Sequence, residues 1–136
     1  MAWCLNENPD HPLSHALDKQ NSDTFLESDV DHQLLLNIPF KQRLAIHCLK
    51  ISTKGDPETA PAFLRIFVNN ADLDFDEAEG DDPTFETLLP LESVENNVIE
   101  LPAGKFQSVE SLQIFVEENY GAPVTRIHYL DIVGVR

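Results

Sequence analysis

The sequence predicts an all-β domain, a sandwich or barrel, on three observations. Short apolar runs rich in Ile, Val, Leu and Phe follow one another from Phe25 onward. Pro, Gly or Asn stands between them at fairly regular spacing, the pattern of a sandwich or barrel. No window repeats apolar residues at the 3.6 period for the roughly 10–12 residues that a helix needs, and nine scattered prolines oppose long helices.

Taken in order, residues 1–24 are polar and turn-rich, with Asn6, Asn8, Pro9, Pro12 and Asn21. They read as an irregular lead-in belonging to the same domain, with one amphipathic turn around Leu13, Ala16 and Leu17. The strands then occupy 25–136. Leu34–Ile38 is a run stopped by Pro39, and Leu44–Ile51 is a second, stopped by Gly55-Asp56-Pro57. Phe63–Val68 is a third: Leu64, Ile66 and Val68 share one face, Phe63, Arg65 and Phe67 the other. An aromatic on that otherwise polar face predicts that a loop covers Phe67. Weaker candidates are Phe85–Leu89 and Val98–Leu101. Lys105-Phe106-Gln107 reads as a turn feeding a strand, with Phe106 at a buried edge. In Leu112–Val116, Leu112, Ile114 and Val116 share a face opposite Gln113 and Glu117. Thr125–Val133 closes the chain.

A chain of 136 residues suits one domain. Its apolar content of 42% and charged content of 24% are ordinary for a globular protein. Its balance is not. Nine Lys and Arg face 24 Asp and Glu, a net charge of −15. Nucleic acid demands clustered cations, and so does an anionic membrane surface. Neither is an expected partner; a basic protein surface or a metal ion stays open, beside the reading that the charge serves solubility alone. No run approaches the roughly 18 apolar residues of a membrane span. The start MAWCLNENPD lacks the basic and apolar regions of a signal peptide. Cys4 and Cys48 are too few for a disulfide framework and suit a reducing compartment. A monomer in the cytoplasm, and also the nucleus, is expected.

The densest feature is the segment 72–82, in which seven of eleven residues are acidic and none is basic. Asp72, Asp74 and Asp76 imitate the start of an EF-hand loop. The imitation fails at the sixth position, Glu77 in place of Gly, and at the twelfth, Pro83 in place of Glu. Leu73 and Phe75 alternate with the acids, which predicts a short strand with one acidic face. Such a face would discourage strand-to-strand aggregation or meet a basic partner. Asp29 and Asp31 form a second acidic point in a turn. Asp29, Asp31, Asp72, Asp74, Asp76, Glu77, Asp81 and Asp82 are therefore the candidate partner-binding residues. Asp29 and Asp31 are also candidate ion-pair partners for Arg65 and Arg126, lone cations within apolar strands.

Catalytic and cofactor motifs are absent. Trp3-Cys4 resembles the start of a WCxxC, but position 7 is Glu, and without a resolving thiol exchange cannot cycle. His11 and His15 have i, i+4 spacing, yet Pro12 and the turn-rich surroundings favour a surface loop over a zinc site. His47 and His128 fall within predicted strands. No GxSxG, HExxH, Walker or GxGxxG motif occurs. The expectation is a non-enzyme with no cofactor and no resident metal.

Several blocks resemble one family, the PITH domain found at the C-terminal end of proteasome-associated thioredoxin-like proteins. They are Cys4-Leu5-Asn6, the stretch from Phe25 to Leu36, Ile66-Phe67-Val68-Asn69 and Asp74-Phe75-Asp76-Glu77-Ala78. Lys105 to Val109, Ser111-Leu112, Ile114-Phe115-Val116 and Thr125-Arg126-Ile127 complete the set. The order and spacing of the blocks carry the likeness over nearly the whole chain. The resemblance implies a jelly-roll β-sandwich, galactose-binding-like, and docking to the proteasome regulatory particle. In longer relatives a thioredoxin domain with a CxxC precedes this module. The sequence here has no CxxC, so redox activity does not carry over. The family also continues past the last strand with a polar tail, and binding that uses the tail is expected to be weak in a chain ending at Arg136. The alternative is a ligand-binding jelly roll for a glycan or calcium, by analogy of fold.

Overall fold

The structure, a computed structural model, describes residues 2–18 and 23–135. Its framework is one long strand, β3 (Leu34–Ser52), which serves both layers of a sandwich. The first half of β3 lies between β1 (Trp3–Leu5) and β7 (Val109–Asn119). Beyond β7 come β4 (Pro61–Val68) and the edge strand β5 (Phe85–Leu88), giving an antiparallel sheet ordered β1-β3-β7-β4-β5. The second half of β3 lies between β6 (Asn97–Glu100) and β9 (Tyr129–Val135). A separate two-stranded ribbon joins β2 (Leu26–Glu27) to β8 (Arg126–Ile127). Among the described residues two short α-helices, α1 (Leu13–Leu17) and α2 (Phe75–Gly80), complete the framework with short 3-10 turns.

The alternation read from the sequence sets the main core. Leu64 and Ile66 of β4 meet Leu112, Ile114 and Val116 of β7 and Leu34, Leu36 and Ile38 of β3. Leu49, Ile51, Ile99 and Leu130 close it from the smaller sheet, with Phe106 buried among them. Each fully buried aliphatic contributes roughly 1.5–3 kcal/mol, so no single residue carries the sandwich.

Four sequence expectations are corrected. Pro39 does not stop a strand: Leu34–Ile38 and Leu44–Ile51 are one continuous β3. Pro39 is tolerated because β1 pairing has ended at Asn37 and the register against β7 shifts between Pro39 and Leu44. The lead-in is not wholly irregular, since Trp3–Leu5 pairs with Asn37–Leu35. The last run divides into β8 and β9, and His128 stands between strands, not within one. The acidic segment is a helix, α2, not a strand with an acidic face. The expected turn at Asn21 lies outside the described residues.

β9 approaches β3 closely at Gly134, where a Cβ would collide with the Ala45 carbonyl. This falls at the register shift between Ile46 and Cys48, a bulge that needs a residue without a side chain.

The outer face of the large sheet holds a second apolar cluster. Leu35, Phe67 and Phe115 point away from the main core and lie beneath Leu73 and Ala78. Phe67 is thus covered as expected, but by the helix α2 and Leu73 before it where a loop was expected. Phe115→Ala should empty this cluster and cost about 3–5 kcal/mol. The expected result is a lower urea midpoint with an unchanged m-value.

Candidate functional site

The acidic helix is held at both ends. Before it, buried Gln113 of β7 donates from Nε2 to Asn37 Oδ1 (2.7 Å) and Ser111 Oγ (2.9 Å). Its Oε1 accepts from the Asn70 N–H at 3.1 Å, which anchors the turn leading to α2. Asp74 is the N-cap: its carboxylate accepts from the Glu77 N–H (2.9 Å), and Glu77 Oε1 accepts from the Asp74 N–H (3.3 Å). This reciprocal pair is a capping box, worth about 1 kcal/mol. Acids in the first turn also suit the positive end of the helix. Asp74 and Glu77, named from sequence as partner-binding candidates, therefore have structural work as well as exposed carboxylates.

At the other end Arg65 clamps the helix. Its guanidinium donates to the carbonyls of Ala78 (2.9 Å) and Asp81 (2.5 Å) and pairs with Glu86 (3.0 Å) and Glu117 (3.8 Å). The carbonyls at a helix C-terminus lack intrahelical partners, and a cation satisfies them well. The side chain is 15% exposed. Arg65 thus offers little positive charge to the surface, and the acids around it dominate. Its partners are not Asp29 or Asp31, because neighbouring strands present Glu86 and Glu117 directly. Arg126 likewise pairs with Glu27 (2.6 Å), its register partner in the β2–β8 ribbon.

The second acidic turn is built around Asn6. Its backbone has φ 69°, a left-handed conformation that Asn tolerates better than most residues. The Asn6 carbonyl accepts from the Asp29 N–H (2.9 Å), and its side-chain oxygen from the Val30 N–H (3.2 Å). Its amide donates to Asp31 Oδ1 (2.9 Å) and the Gln33 carbonyl (2.7 Å). Asp31 also accepts from the Gln33 N–H at 2.9 Å.

Gln33 joins the two acidic segments. Its Nε2 donates to Glu79 Oε1 at 3.3 Å and to the Glu117 carbonyl at 3.4 Å. His32 Nε2 lies 3.0 Å from the same carbonyl and 3.2 Å from Glu118 Oε1. Both partners are acceptors, so this nitrogen carries the hydrogen. The structure therefore brings the Asp31 turn, the end of α2 and the end of β7 together. Asp29, Asp72, Asp76, Asp81 and Asp82 are exposed beside these contacts. Sequence reasoning missed Glu79, Glu86, Glu117 and Glu118. The outward alternation of β5 and β7 was a signal for Glu86 and Glu117. Glu79 lay inside the flagged acidic segment without being singled out, and nothing local marked Glu118.

Two further features bear on chemistry. Burial, with the Glu7 carboxylate nearby, pushes the Cys4 thiol well above its ordinary range despite a backbone hydrogen bond, so no ready thiolate exists there. On another side of the molecule, His11 stacks on Phe25 (4.2 Å between centroids), with His128 at 5.0 Å and the Arg126 guanidinium 5.0 Å from the ring. Burial and the nearby Lys54 and Arg126 charges lower the His128 pKa, and its Nδ1 accepts from the Lys54 N–H at 3.1 Å. Among the described residues no three His, Cys, Asp or Glu side chains gather as a metal site.

This architecture is that of a galactose-binding-like jelly-roll β-sandwich. The family 32 CBM of Clostridium perfringens NanJ, solved with galactose, aligns with a TM-score of 0.68 at 17% identity, covering 97% of this chain and 91% of that one. The Clostridium perfringens CpGH89CBM32-5, in complex with GalNAc-β-1,3-galactose, aligns at 0.74 and 11% identity, covering 97% and 93%. Within that class, residues 2–136 match the PITH domain, and the chain belongs to that family. Thioredoxin-like protein 1 of Schizosaccharomyces pombe is 37% identical over 136 residues, 96% of this chain and 47% of the relative. PITH domain-containing protein 1 of Danio rerio is 33% identical over 140 residues, 96% and 63% respectively. The chain thus spans roughly half to two-thirds of the length of these relatives.

Arg65→Met should release α2. The expected local cost is about 1–3 kcal/mol from carbonyls left without their donor, read as faster amide hydrogen exchange over 73–82 than in the main core. His128→Gln should flatten part of the acid response. With a folded pKa below the unfolded value near 6.5, the neutral His128 contributes stability that is intact above about pH 6.5 and lost as pH falls through its folded value. Urea midpoints of the variant and the parent should converge on acidification.

Proposed function

We propose that this chain is a non-catalytic protein-interaction module, that its partner surface is basic, and that the proteasome regulatory particle carries that surface. The observation that supports this reading most is the joining of the two acidic segments through Gln33 on a face stiffened by Arg65. Rigid presentation reduces the ordering cost of binding. A net charge of −15 raises the encounter rate with a basic partner and helps orient it. Asp29, Asp31 and the exposed acids of 72–82 would make the contact, joined by Glu79 and Glu118. The module would act as a monomer in the cytoplasm and nucleus.

The sugars held by the NanJ and CpGH89CBM32-5 structures do not extend to this chain at identities of 17% and 11%. At that distance the likeness describes the scaffold, and ligand choice resides in side chains.

Pull-down of regulatory particles on the immobilised chain tests the reading. Capture at low ionic strength should fall by roughly tenfold or more as salt shortens the Debye length from about 10 to about 3 Å. Reversing charges at Asp29, Asp76 and Asp82 together should weaken capture without unfolding the domain. Equal capture at low and high salt would remove the electrostatic reading.

A further inference from the structure

The large sheet ends in an open strand. Among the described residues β5 pairs with β4 alone, leaving its other edge without a partner strand. Phe85 packs against the main core, so alternation turns Glu86 and Leu88 to the outer face. Leu88 is 73% exposed. Open edges ordinarily carry charge or Pro to resist pairing; this one has Glu86 and flanking Pro83 and Pro90, yet sets an exposed Leu on the same face as Glu86. Its register partner is half-buried Phe63, which in turn pairs with Glu118 of β7. The result is an apolar step, Phe63 and Leu88, bordered by Glu86, Glu117 and Glu118. Arg65, a cation at this border, is 15% exposed; it holds α2 and pairs with Oε2 of Glu86 at 3.0 Å, while the Glu86 side chain stays 48% exposed.

We propose that the β5 edge is a docking strand for an extended basic segment of a partner protein. The added strand runs antiparallel to β5, an arrangement in which main-chain bonds supply affinity and alternate side chains supply specificity. Antiparallel order places the residue beside Leu88 two positions before the residue beside Glu86. The segment recognised therefore reads apolar, any residue, then Lys or Arg. A second copy of this chain fits poorly, because each molecule carries −15 and β5 has no cation to meet the Glu86 of the other copy. The strand is only four residues long and lies between Pro83 and Pro90, so the added strand is short and binding is weak and reversible. This inference rests on the reading of the outer acidic face as a binding surface.

The test is a backbone-amide NMR titration of the chain at low salt with the synthetic peptide Ac-Gly-Ser-Val-Thr-Lys-Thr-Lys-NH2. The control replaces both lysines by Glu. The expected result is saturable shifts at 85–88 and around Phe63 with the basic peptide and none with the acidic one. Leu88→Lys, at an exposed position that leaves the core intact, should weaken binding roughly tenfold or more. Shifts confined to 29–31 and 72–82 would overturn edge docking while leaving the acidic-face reading standing. Shifts at 85–88 that grow with protein concentration without peptide would assign the edge to self-association and overturn the proposal. Absence of shifts with the basic peptide, alongside salt-sensitive capture of regulatory particles, would overturn the edge strand alone.

Discussion

The structure depends on one shared ladder. β3 pairs with β1 and β7 over its first half and with β6 and β9 over its second, so neither sheet exists without it. From Leu34 to Ile38 every side chain is buried, alternately in the main core and under the outer cover. A strand buried on both faces cannot slip by one residue without turning Asn37 into the main core in place of Leu36 or Ile38. Its register therefore aligns the inward faces of both layers, and the strand passes from one to the other between Pro39 and Ala45, where pairing with β7 gives way to pairing with β9.

The outer cluster transmits that order to the acidic surface. Leu73 and Ala78 are buried against Leu35, Phe67 and Phe115, and Phe75 meets Phe115 edge to face at 5.9 Å. Six residues make too short a helix to persist in water by itself. It persists here because its apolar side is buried, its start is capped by Asp74 and Glu77, and its end is held by Arg65. The acids can thus be exposed and still fixed in place. A disordered acidic loop of the same composition would have to be ordered on binding, at a cost in affinity.

The β-sandwich was legible because alternation is a local signal. The inward faces of β4 and β7 and the need to cover Phe67 follow from period-two patterns and are present, and Phe106, read as a buried edge after a turn, is buried. The acidic segment was misread for a reason that also lies in the pattern. Leu73 and Phe75 alternate as in a strand, but Phe75 and Ala78 stand three apart, and Asp74 with Glu77 makes a helix start. Over so few residues the two periods cannot be separated. Helical closure won because the outer cluster needed Ala78 against the sheet. The ion pairs were misassigned for a different cause: Arg65 and Arg126 take acids from paired strands, and pairing is a property of register, not of proximity along the chain.

By itself the sequence determined that the chain is a strand-built domain of strong negative charge, that Phe67 needs cover, and that no known catalytic motif is present. Composition and short-range alternation are sufficient for those conclusions, because each is a property of one segment. Only the tertiary structure decided that Asn6 holds the Asp29–Asp31 turn, that Gln33 ties it to Glu79, and that Leu88 stands on an open edge. Those are relations between segments that lie far apart in sequence and are brought together only when β3 has paired with its neighbours. Long-range pairing is chosen by the burial of the whole core, and no local window contains it.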